Sequence, residues 1–410
     1  MTATGDLFTV RGGGAAMAPV AAASRSRVRW RMGLEARLLV VLTATILAFG
    51  LATLYSASAI VAAQAELPSW HFLVRQLGGV GLGVVAFAFF AKWDAERWHA
   101  HAWMLMGLAM LTMLIVVLPF TAAIAPPING SRRFLLGGSI QPSEFGKLAI
   151  VIWTAALIVK KGGADGLRRL STGLLPFLSI LAVLSVLAAL EPDFSVPLFY
   201  ALVMGVMLFA AGARIGHFVV LGLIALPLAW QEMHRLEYVM RRVLGFAGAA
   251  GAEAEVNYQL TQSLIAVGSG GLLGVGFGQG RQQYGFLPLP YNDFIGSNIG
   301  EEWGFVGMLG VILLFALWGW LGVSIARQAR TPFQQLVAIG LTVTMAVTAF
   351  LHIGVVIGLL PTTGLTLPFV SYGRSNMLLS LVATGILVNI GSTAERVVGD
   401  RASDPLAASR

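Results

Sequence analysis

Long apolar runs, rather than alternating apolar and polar positions, dominate the chain. Ten of them reach or approach the length at which an α-helix crosses the hydrocarbon core of a bilayer, about 20 residues. They lie at residues 38–61, 74–90, 102–120, 145–159, 174–190, 195–211, 216–230, 305–325, 335–360 and 376–390. Transmembrane strands would alternate instead. The pattern therefore predicts an all-α polytopic membrane protein with about ten transmembrane helices.

The composition agrees with a membrane protein. Hydrophobic residues make up 57% of the 410 residues and charged residues 11%, and the mean hydropathy is +0.80. Soluble proteins carry about 25% charged residues, so an ordinary soluble enzyme is excluded. The chain has no cysteine, which excludes disulfides and thiolate metal sites.

Basic residues fall on one side of the predicted membrane helices. They crowd the N-terminal tail at residues 25–37, the C-terminal tail, and the short loops after the second, fourth, sixth and eighth apolar runs. The positive-inside rule assigns that side, with both termini, to the cytoplasm. The net charge of +8 is therefore an orientation signal. Nucleic-acid binding is not expected, because the arginines are dispersed and no aromatic platform accompanies them.

Three regions follow from this arrangement. We predict a basic, disordered cytoplasmic tail at residues 1–34, a membrane domain at 35–395 and a cytoplasmic C-terminal tail at 396–410. One large extracytoplasmic loop, about 231–303, joins helices seven and eight. Inside it, residues 258–267 have the pattern of an amphipathic helix at the membrane surface, and the glycine-rich residues 268–280 form a tight loop. The loop contains a GxGxxG-like pattern, but no preceding strand supports a dinucleotide site.

Three carboxylates lie at the edge of the eighth apolar run: Asp293, Glu301 and Glu302. Acidic side chains beside a bilayer are costly, which favours a functional role. Asp293 follows the proline-rich turn at 287–290, and two interpretations stay open for it, a catalytic group or the N-cap of the next helix. Helix neighbours point about 100° apart. We therefore expect at most one glutamate to face a pocket and the other to bind N–H groups at the helix start.

Two further acidic motifs lie on the same side of the membrane. Glu144 and Lys147 are three residues apart and share a helix face, so they either neutralise each other or serve a substrate. Glu191 and Asp193 flank a proline at an outer turn, where such residues are common. Two acids this close also offer the oxygen ligands that a divalent cation such as Mg²⁺ or Mn²⁺ prefers. Both interpretations of each pair stay open.

Several arginines break the charge rule by falling on the outer side. They are Arg132, Arg133, Arg235, Arg241, Arg242, Arg281 and Arg374. These residues either bind outer-leaflet phosphates or are simply solvated, or else they bind an anionic substrate, since guanidinium groups pair bidentately with phosphate. Lipid phosphates are favoured for Arg241 and Arg242, and both interpretations stay open for Arg132 and Arg133.

Five motifs resemble those of the SEDS family (shape, elongation, division and sporulation). They are QPSEFGK at 141–147, EPDF at 191–194, YQLTQSLIAVGSGG at 258–271, the segment from NDF at 292–294 to GEE at 300–302, and GLLPTTGLTLPFVSYG at 358–373. The resemblance covers roughly residues 35–395, with the motifs in order and a matching number of spans. Phe145, Gly300 and residues 364–368 resemble the division-type branch more than the elongation-type branch.

This resemblance implies a peptidoglycan glycosyltransferase of the bacterial inner membrane. Such enzymes polymerise lipid II into β-1,4 glycan strands at the outer face, with inversion of the anomeric carbon and release of undecaprenyl pyrophosphate. Asp293 matches the family's catalytic aspartate, which implies a general base. The remaining motif residues and outer arginines become candidates for substrate binding: Arg132, Arg133, Glu144, Lys147, Gln262, Ser263, Glu301, Glu302 and Arg374.

The resemblance also implies partners, namely a single-span class B penicillin-binding protein, which is a transpeptidase, and other membrane proteins of the divisome. Three alternatives stay open: a lipid II flippase, an elongation-type polymerase and a non-catalytic division scaffold. Four positions depart from the residues that the family commonly has, and they are Leu289, Tyr291, His352 and Arg374. An arginine at 374 replaces a glycine, and it either grips a substrate phosphate or marks a divergent copy.

Overall fold

The computed structural model describes residues 27–121, 123–126, 132–135, 137–138, 140–191, 193, 195–219, 222–223 and 254–397. Most of the predicted seventh span and the arginines at 235, 241 and 242 lie outside these ranges, as do both chain ends. Helices dominate the described residues, which confirms the predicted all-α class.

The helices are α1 (Leu34–Gln64), α2 (His71–Lys92), α3 (Arg97–Val117), α4 (Pro142–Lys160), α5 (Ala164–Leu167), α6 (Leu175–Leu190), α7 (Ser195–Ala210), α8 (Ala254–Ser269), α9 (Ile295–Arg327), α10 (Pro332–Val356) and α11 (Arg374–Ile390). A π-helical turn, Leu170–Leu174, precedes α6, and 3-10 turns lie at Pro119–Thr121 and Gln282–Tyr284. Within the described ranges, 7 helices are long and apolar enough to cross a membrane, and α7 and α11 are shorter apolar helices. Every predicted span except the seventh therefore coincides with a helix, and α8 coincides with the predicted amphipathic one.

A two-stranded sheet pairs β1 (Arg27–Met32) with β2 (Ser392–Val397). The described residues 27–31 and 393–397 belong to one unit, and the described residues from 32 to 392 belong to the helical unit. The strands differ from the disorder expected for residues 1–34. The sequence RVRWRM alternates basic and apolar residues, which is the period of a strand.

Helix α4 lies at the centre of the helical unit. It packs against α3, α7, α10 and α11 and is buried along almost its whole length. Pro142 occupies its first turn, where a missing N–H costs no helical bond. By contrast, α2 exposes large apolar side chains such as Leu77, Val84 and Val85. In a spanning helix, such a face meets lipid.

The most extensive helix pair is α2 with α11. Small residues allow the two backbones to approach, as is typical of membrane helices. A Cβ on Gly385 would lie 2.8 Å from the carbonyl oxygen of Phe87. At the N-terminal ends of both helices, the Gly373 N–H donates to Oε1 of Gln76 over 3.1 Å. This bond attaches the segment 358–373, which precedes α11, to α2.

Helix α9 is kinked at Gly304, where φ is 66° and ψ is −160°. The glycine-rich loop lies across the kink. The Gly276 N–H donates to the Glu302 carbonyl oxygen at 3.1 Å, and the Phe305 N–H donates to the Gly271 carbonyl oxygen at 2.9 Å. Backbone groups at membrane depth must be satisfied by the protein itself, so the loop supplies the hydrogen bonds that the kink removes from the helix.

Candidate active site

Asp293 lies in the turn between the proline-rich segment and α9, and it is half-buried. The N-cap of α9 is Phe294, the residue directly after Asp293. A small pocket opens beside the aspartate, lined also by Gln259, Phe294, Val355 and residues 362–365. The pocket thus gathers α8, the start of α9, the end of α10 and one loop around a single acid.

The loop 362–365 approaches the carboxylate through a glycine. Gly364 has φ +70°, a conformation that glycine adopts without strain. A Cβ on this residue would lie 3.8 Å from Oδ2 of Asp293. The backbone of the loop therefore forms the wall of the pocket that faces the acid.

The residues just before Asp293 are held by the SYG turn at 371–373. Ser371 Oγ donates to the Asn292 carbonyl oxygen at 2.8 Å, and the Tyr372 N–H donates to the Tyr291 carbonyl oxygen at 2.9 Å. The two tyrosine rings lie 5.8 Å apart and cross at 83°. Burial raises the pKa of Tyr291 above its usual value, and Tyr372 adds to the shift, so this hydroxyl is neutral at physiological pH.

The two glutamates lie within α9 rather than before it, because the helix begins at Ile295 and not at residue 305. Glu301 is 1% exposed and accepts the N–H groups of Arg281 at 2.8 Å and Gln282 at 3.2 Å. One glutamate was expected to bind backbone N–H groups at its own helix start. Those that it binds belong instead to the end of the glycine-rich loop.

Glu302 is equally buried, with 1% exposed, and accepts a 2.5 Å hydrogen bond from Ser56 Oγ on α1. Neither glutamate lines the pocket beside Asp293. The bonds to α1 and to residues 281 and 282 give both carboxylates a structural role, and the substrate-binding role stays a prediction.

Helix α8 contributes Gln259 to the pocket, a residue that sequence reasoning missed, whereas the two predicted α8 residues lie elsewhere. Ser263 is fully buried, and its hydroxyl lies 2.6 Å from Ser297 Oγ and donates to the Val356 carbonyl oxygen at 2.7 Å. It joins three helices and does not face a substrate. Gln262 is half-buried and does not line the pocket. Gln259 does line it, and its spacing of four residues from Ser263, on one helix face, was the available signal.

Glu144 and Lys147 neutralise each other. Lys147 Nζ lies 2.6 Å from Glu144 Oε1, and both residues are buried. The ammonium group also lies 5.1 Å from the centre of the Phe199 ring. A buried ion pair of this kind is costly to break, because either partner alone would be an uncompensated charge. The pair therefore fixes the start of α4.

Arg133 lies beside Glu191 and Asp193, the pair for which a turn and a divalent-cation site were both left open. Its Nε donates to the Glu191 carbonyl oxygen at 3.0 Å, and its Nη1 lies 3.7 Å from Asp193 Oδ2. Burial, reinforced by Asp193 and opposed by Arg133, raises the pKa of Glu191 to about 8. The described ranges contain no group of three or more histidines or acids that could hold a metal, and the divalent cation stays a prediction.

The two adjacent arginines diverge. Arg132 Nη1 donates to the Leu118 carbonyl oxygen, at the end of α3, over 3.4 Å, whereas Arg133 turns to Glu191 and Asp193. These two side chains therefore do not form a phosphate site together.

A further bond links the turn that carries Asp193 to the pocket, because Ser195 Oγ donates to the Thr363 carbonyl oxygen at 2.5 Å.

A second cavity, of about 790 Å³, lies between α2, α4 and α11. Most of its wall is apolar, with Leu82, Phe90 and Leu148 among the lining residues. Its polar lining residues come from the N-terminal ends of the three helices, and they are Arg75, Gln141, Glu144, Arg374 and Ser375. Arg374 thus belongs to this groove and not to the Asp293 pocket.

A bundle of membrane-spanning helices with an acid enclosed at the helix ends, beside an apolar groove, defines a polytopic membrane protein with an internal site. Residues 36–396 match the family described as cell cycle protein, the family of FtsW, RodA and SpoVE. The chain belongs to this family. The SEDS membership expected from the motifs, and its FtsW-like character, are confirmed.

Two relatives illustrate the similarity. Stage V sporulation protein E of Bacillus subtilis is 37% identical over 355 residues, covering 86% of this chain and 96% of the relative. A probable peptidoglycan glycosyltransferase FtsW of Trichlorobacter lovleyi is 35% identical over 356 residues, covering 86% of this chain and 92% of the relative.

Two solved structures share the fold. The rod shape determining protein RodA of Thermus thermophilus aligns with a TM-score of 0.62 and 25% identity, over 86% of this chain and 95% of RodA. A chain from a peptidoglycan synthase complex aligns with a TM-score of 0.70 and 24% identity, over 87% of this chain and 97% of that chain. The second likeness concerns the fold alone.

Proposed function

We propose that this chain is a division-type peptidoglycan glycosyltransferase that polymerises lipid II into β-1,4 glycan strands. The FtsW relatives bear that activity in their names. The observation that carries the proposal is the contrast among three neighbouring acids. Glu301 and Glu302 are enclosed by structural bonds, whereas Asp293 is half-buried and lines a pocket.

Asp293 acts as the general base of an inverting transfer. Its carboxylate accepts the proton of the acceptor sugar hydroxyl, whose oxygen attacks the anomeric carbon of the donor. The bond from that carbon to the pyrophosphate oxygen breaks, and undecaprenyl pyrophosphate leaves with the electron pair. A single displacement turns the α-linkage into a β-linkage, so no covalent glycosyl-enzyme is needed. A base of this kind raises the rate about 10²-fold to 10⁴-fold.

The groove between α2, α4 and α11 receives the polyprenyl chain. Its volume of about 790 Å³ and apolar wall suit a hydrocarbon, and its polar residues include Arg75 and Arg374. Guanidinium groups are suited to phosphate oxygens. In this assignment the Arg374 guanidinium binds the pyrophosphate, which would explain why an arginine stands where the family commonly has a glycine.

The site faces the outside of the bacterial inner membrane, with both termini in the cytoplasm. The distribution of lysine and arginine over the short loops supports this orientation. A class B penicillin-binding protein, with other divisome membrane proteins, completes the assembly. The resemblance of the five sequence motifs to the SEDS family implies the transpeptidase as partner.

The test is reconstitution of the purified protein in liposomes with lipid II, alone and with the transpeptidase. Glycan chains on a gel support the polymerase. Lipid II movement across the bilayer without polymer indicates a flippase. If neither occurs with the partner present, the protein is a scaffold and the proposal fails.

A further inference from the structure

His352 on α10 is 1% exposed and is bonded at both ring nitrogens. Nδ1 lies 2.8 Å from the Leu365 carbonyl oxygen, and the Gly296 N–H donates to Nε2 over 3.3 Å. A carbonyl oxygen only accepts and an N–H only donates, so Nδ1 carries the proton and Nε2 the lone pair. The ring is therefore a neutral imidazole held in one tautomer.

The two partners of this ring belong to two different walls of the pocket around Asp293. Leu365 lines the pocket directly and is adjacent to Gly364, the residue that faces Oδ2 of the aspartate. Gly296 lies in the first turn of α9, three residues after Asp293. His352 therefore connects the loop 362–365 to the turn that carries the carboxylate.

The connection is close, and a side chain at Gly296 would press on His352. A Cβ there would lie 3.2 Å from Nε2 of His352 and 3.1 Å from Cγ2 of Val356. Ser263 attaches α8 to the same end of α10 through the Val356 carbonyl oxygen. The C-terminal end of α10 is thus a common anchor for every wall of the pocket, and His352 holds two of them.

We propose that His352 is a positioning residue of glycosyl transfer, which fixes the distance between the Asp293 carboxylate and the loop 362–365. This inference rests on the proposed function. The imidazole is buried and is not among the residues that line the pocket, so it acts through Gly296 and Leu365. A misplacement of about 1 Å at a reacting group can cost on the order of 10²-fold in rate.

Three substitutions separate the two arms of this contact. An asparagine amide reaches about as far as Nδ1, so His352→Asn keeps a donor for Leu365 and releases Gly296. A glutamine amide reaches about as far as Nε2, so His352→Gln keeps an acceptor for Gly296 and releases Leu365. His352→Leu removes both bonds. Thr348→Val is the matched control, because the Thr348 hydroxyl is buried one turn away and bonds only within α10, to the Thr344 carbonyl oxygen.

The experiment combines backbone hydrogen exchange with steady-state polymerisation of lipid II. We expect faster exchange around residue 296 in His352→Asn, around residues 362–368 in His352→Gln, and in both segments in His352→Leu. His352→Leu should also lower kcat about 10-fold to 100-fold while KM stays within about twofold. Thr348→Val should match the wild type in both measurements.

Unchanged exchange in both amide variants, or wild-type kcat in a folded His352→Leu protein, overturns the proposal. If His352→Leu does not fold, the two amide variants decide it by the same exchange pattern and by their kcat. The exchange measurement needs no substrate, so it tests the contact separately from the chemistry. A wild-type protein that makes no glycan would refute the proposed function, whatever the exchange pattern is.

Discussion

Asp293 and the Glu301–Glu302 pair are eight or nine residues apart and carry the same functional group, yet the fold gives them opposite surroundings. Asp293 is half-buried beside a pocket. The glutamates are buried and accept hydrogen bonds from the glycine-rich loop and from α1. The comparison shows that an acid near a membrane boundary is no evidence of catalysis by itself, since a carboxylate is also an effective acceptor for N–H groups that lipid cannot satisfy.

The kink in α9 explains why the second region needs acids. At Gly304 the helix leaves backbone groups without helical partners, and the glycine-rich loop covers them. The end of that loop has its own N–H groups to satisfy, and Glu301 accepts two of them. The glutamates thus belong to the architecture of the kink, whereas Asp293 lines a pocket.

The largest expected effect is the fall in polymerisation rate when the proposed base, Asp293, is replaced. Asp293→Asn should lower lipid II polymerisation by about 10²–10⁴, because an amide cannot take the acceptor proton. The side chain is nearly isosteric, so the melting temperature in detergent should remain that of the wild type. Glu66→Gln, at an exposed loop position, is the control for loss of one negative charge. Near-native turnover in Asp293→Asn would remove the distinction between the two regions.

The kink itself should be the most sensitive structural point. Gly304 has φ 66°, and a Cβ there would collide with the Gly274 nitrogen and lie 2.8 Å from the Leu272 carbonyl oxygen. We expect Gly304→Ala to destabilise the protein by about 1–3 kcal/mol from backbone strain, before the collision is added. Gly310→Ala in the same helix meets nothing within 4 Å and should be neutral. Equal melting temperatures for the two variants would contradict this account of the kink.

A smaller loss of stability is expected from Glu301→Gln, with the opposite signature to Asp293→Asn. The amide keeps one acceptor oxygen and loses the charge, so one of the bonds to Arg281 and Gln282 should weaken. Loss of a charged hydrogen bond costs about 1.5–3 kcal/mol. Turnover per folded molecule should persist, and hydrogen exchange should rise in residues 270–282. A stable but inactive Glu301→Gln protein would move the catalytic role to this region.

The parts of the fold that depend on local pattern could be predicted from the sequence. Apolar runs gave the helices, since length and hydropathy are local properties. The start of α9 could not be read in the same way, because polar residues such as Ser297 and Asn298 interrupt the apolar run and are buried against other helices. The partner of Glu302 is Ser56, 246 residues away, and no spacing rule connects them.

The candidate site also combines features that local sequence predicts with contacts that only the fold creates. The family motif identified Asp293, but its neighbours Gln259 and Leu365 come from separate segments that only the fold brings together. The adjacent Arg132 and Arg133 appeared as one pair, and their side chains turn to different backbone carbonyls. Proximity in sequence is therefore a poor guide to a shared site where the chain leaves a helix.

Glu191 is a fourth acid for this comparison, and its substitution should have the smallest effect. Burial, with Asp193 adding and Arg133 opposing, raises the pKa of Glu191 from the ordinary 4.5 to about 8. Below about pH 4.5 both the folded and unfolded states hold the proton. Between there and about pH 8 the unfolded state releases it while the folded state keeps it, so the free energy of unfolding falls as the pH rises. Above about pH 8 both states are ionised and this dependence ends.

Glu191→Gln should remove that decline, because a glutamine does not titrate. In melts in detergent at about pH 5, 7 and 9, its melting temperature should be near that of the wild type at the lowest pH and above it at the highest. Glu66→Gln removes one carboxyl from an exposed position and is the control, which should follow the wild-type pH dependence. Parallel melting curves for Glu191→Gln and the wild type across this range would mean that Glu191 is ionised in the folded protein.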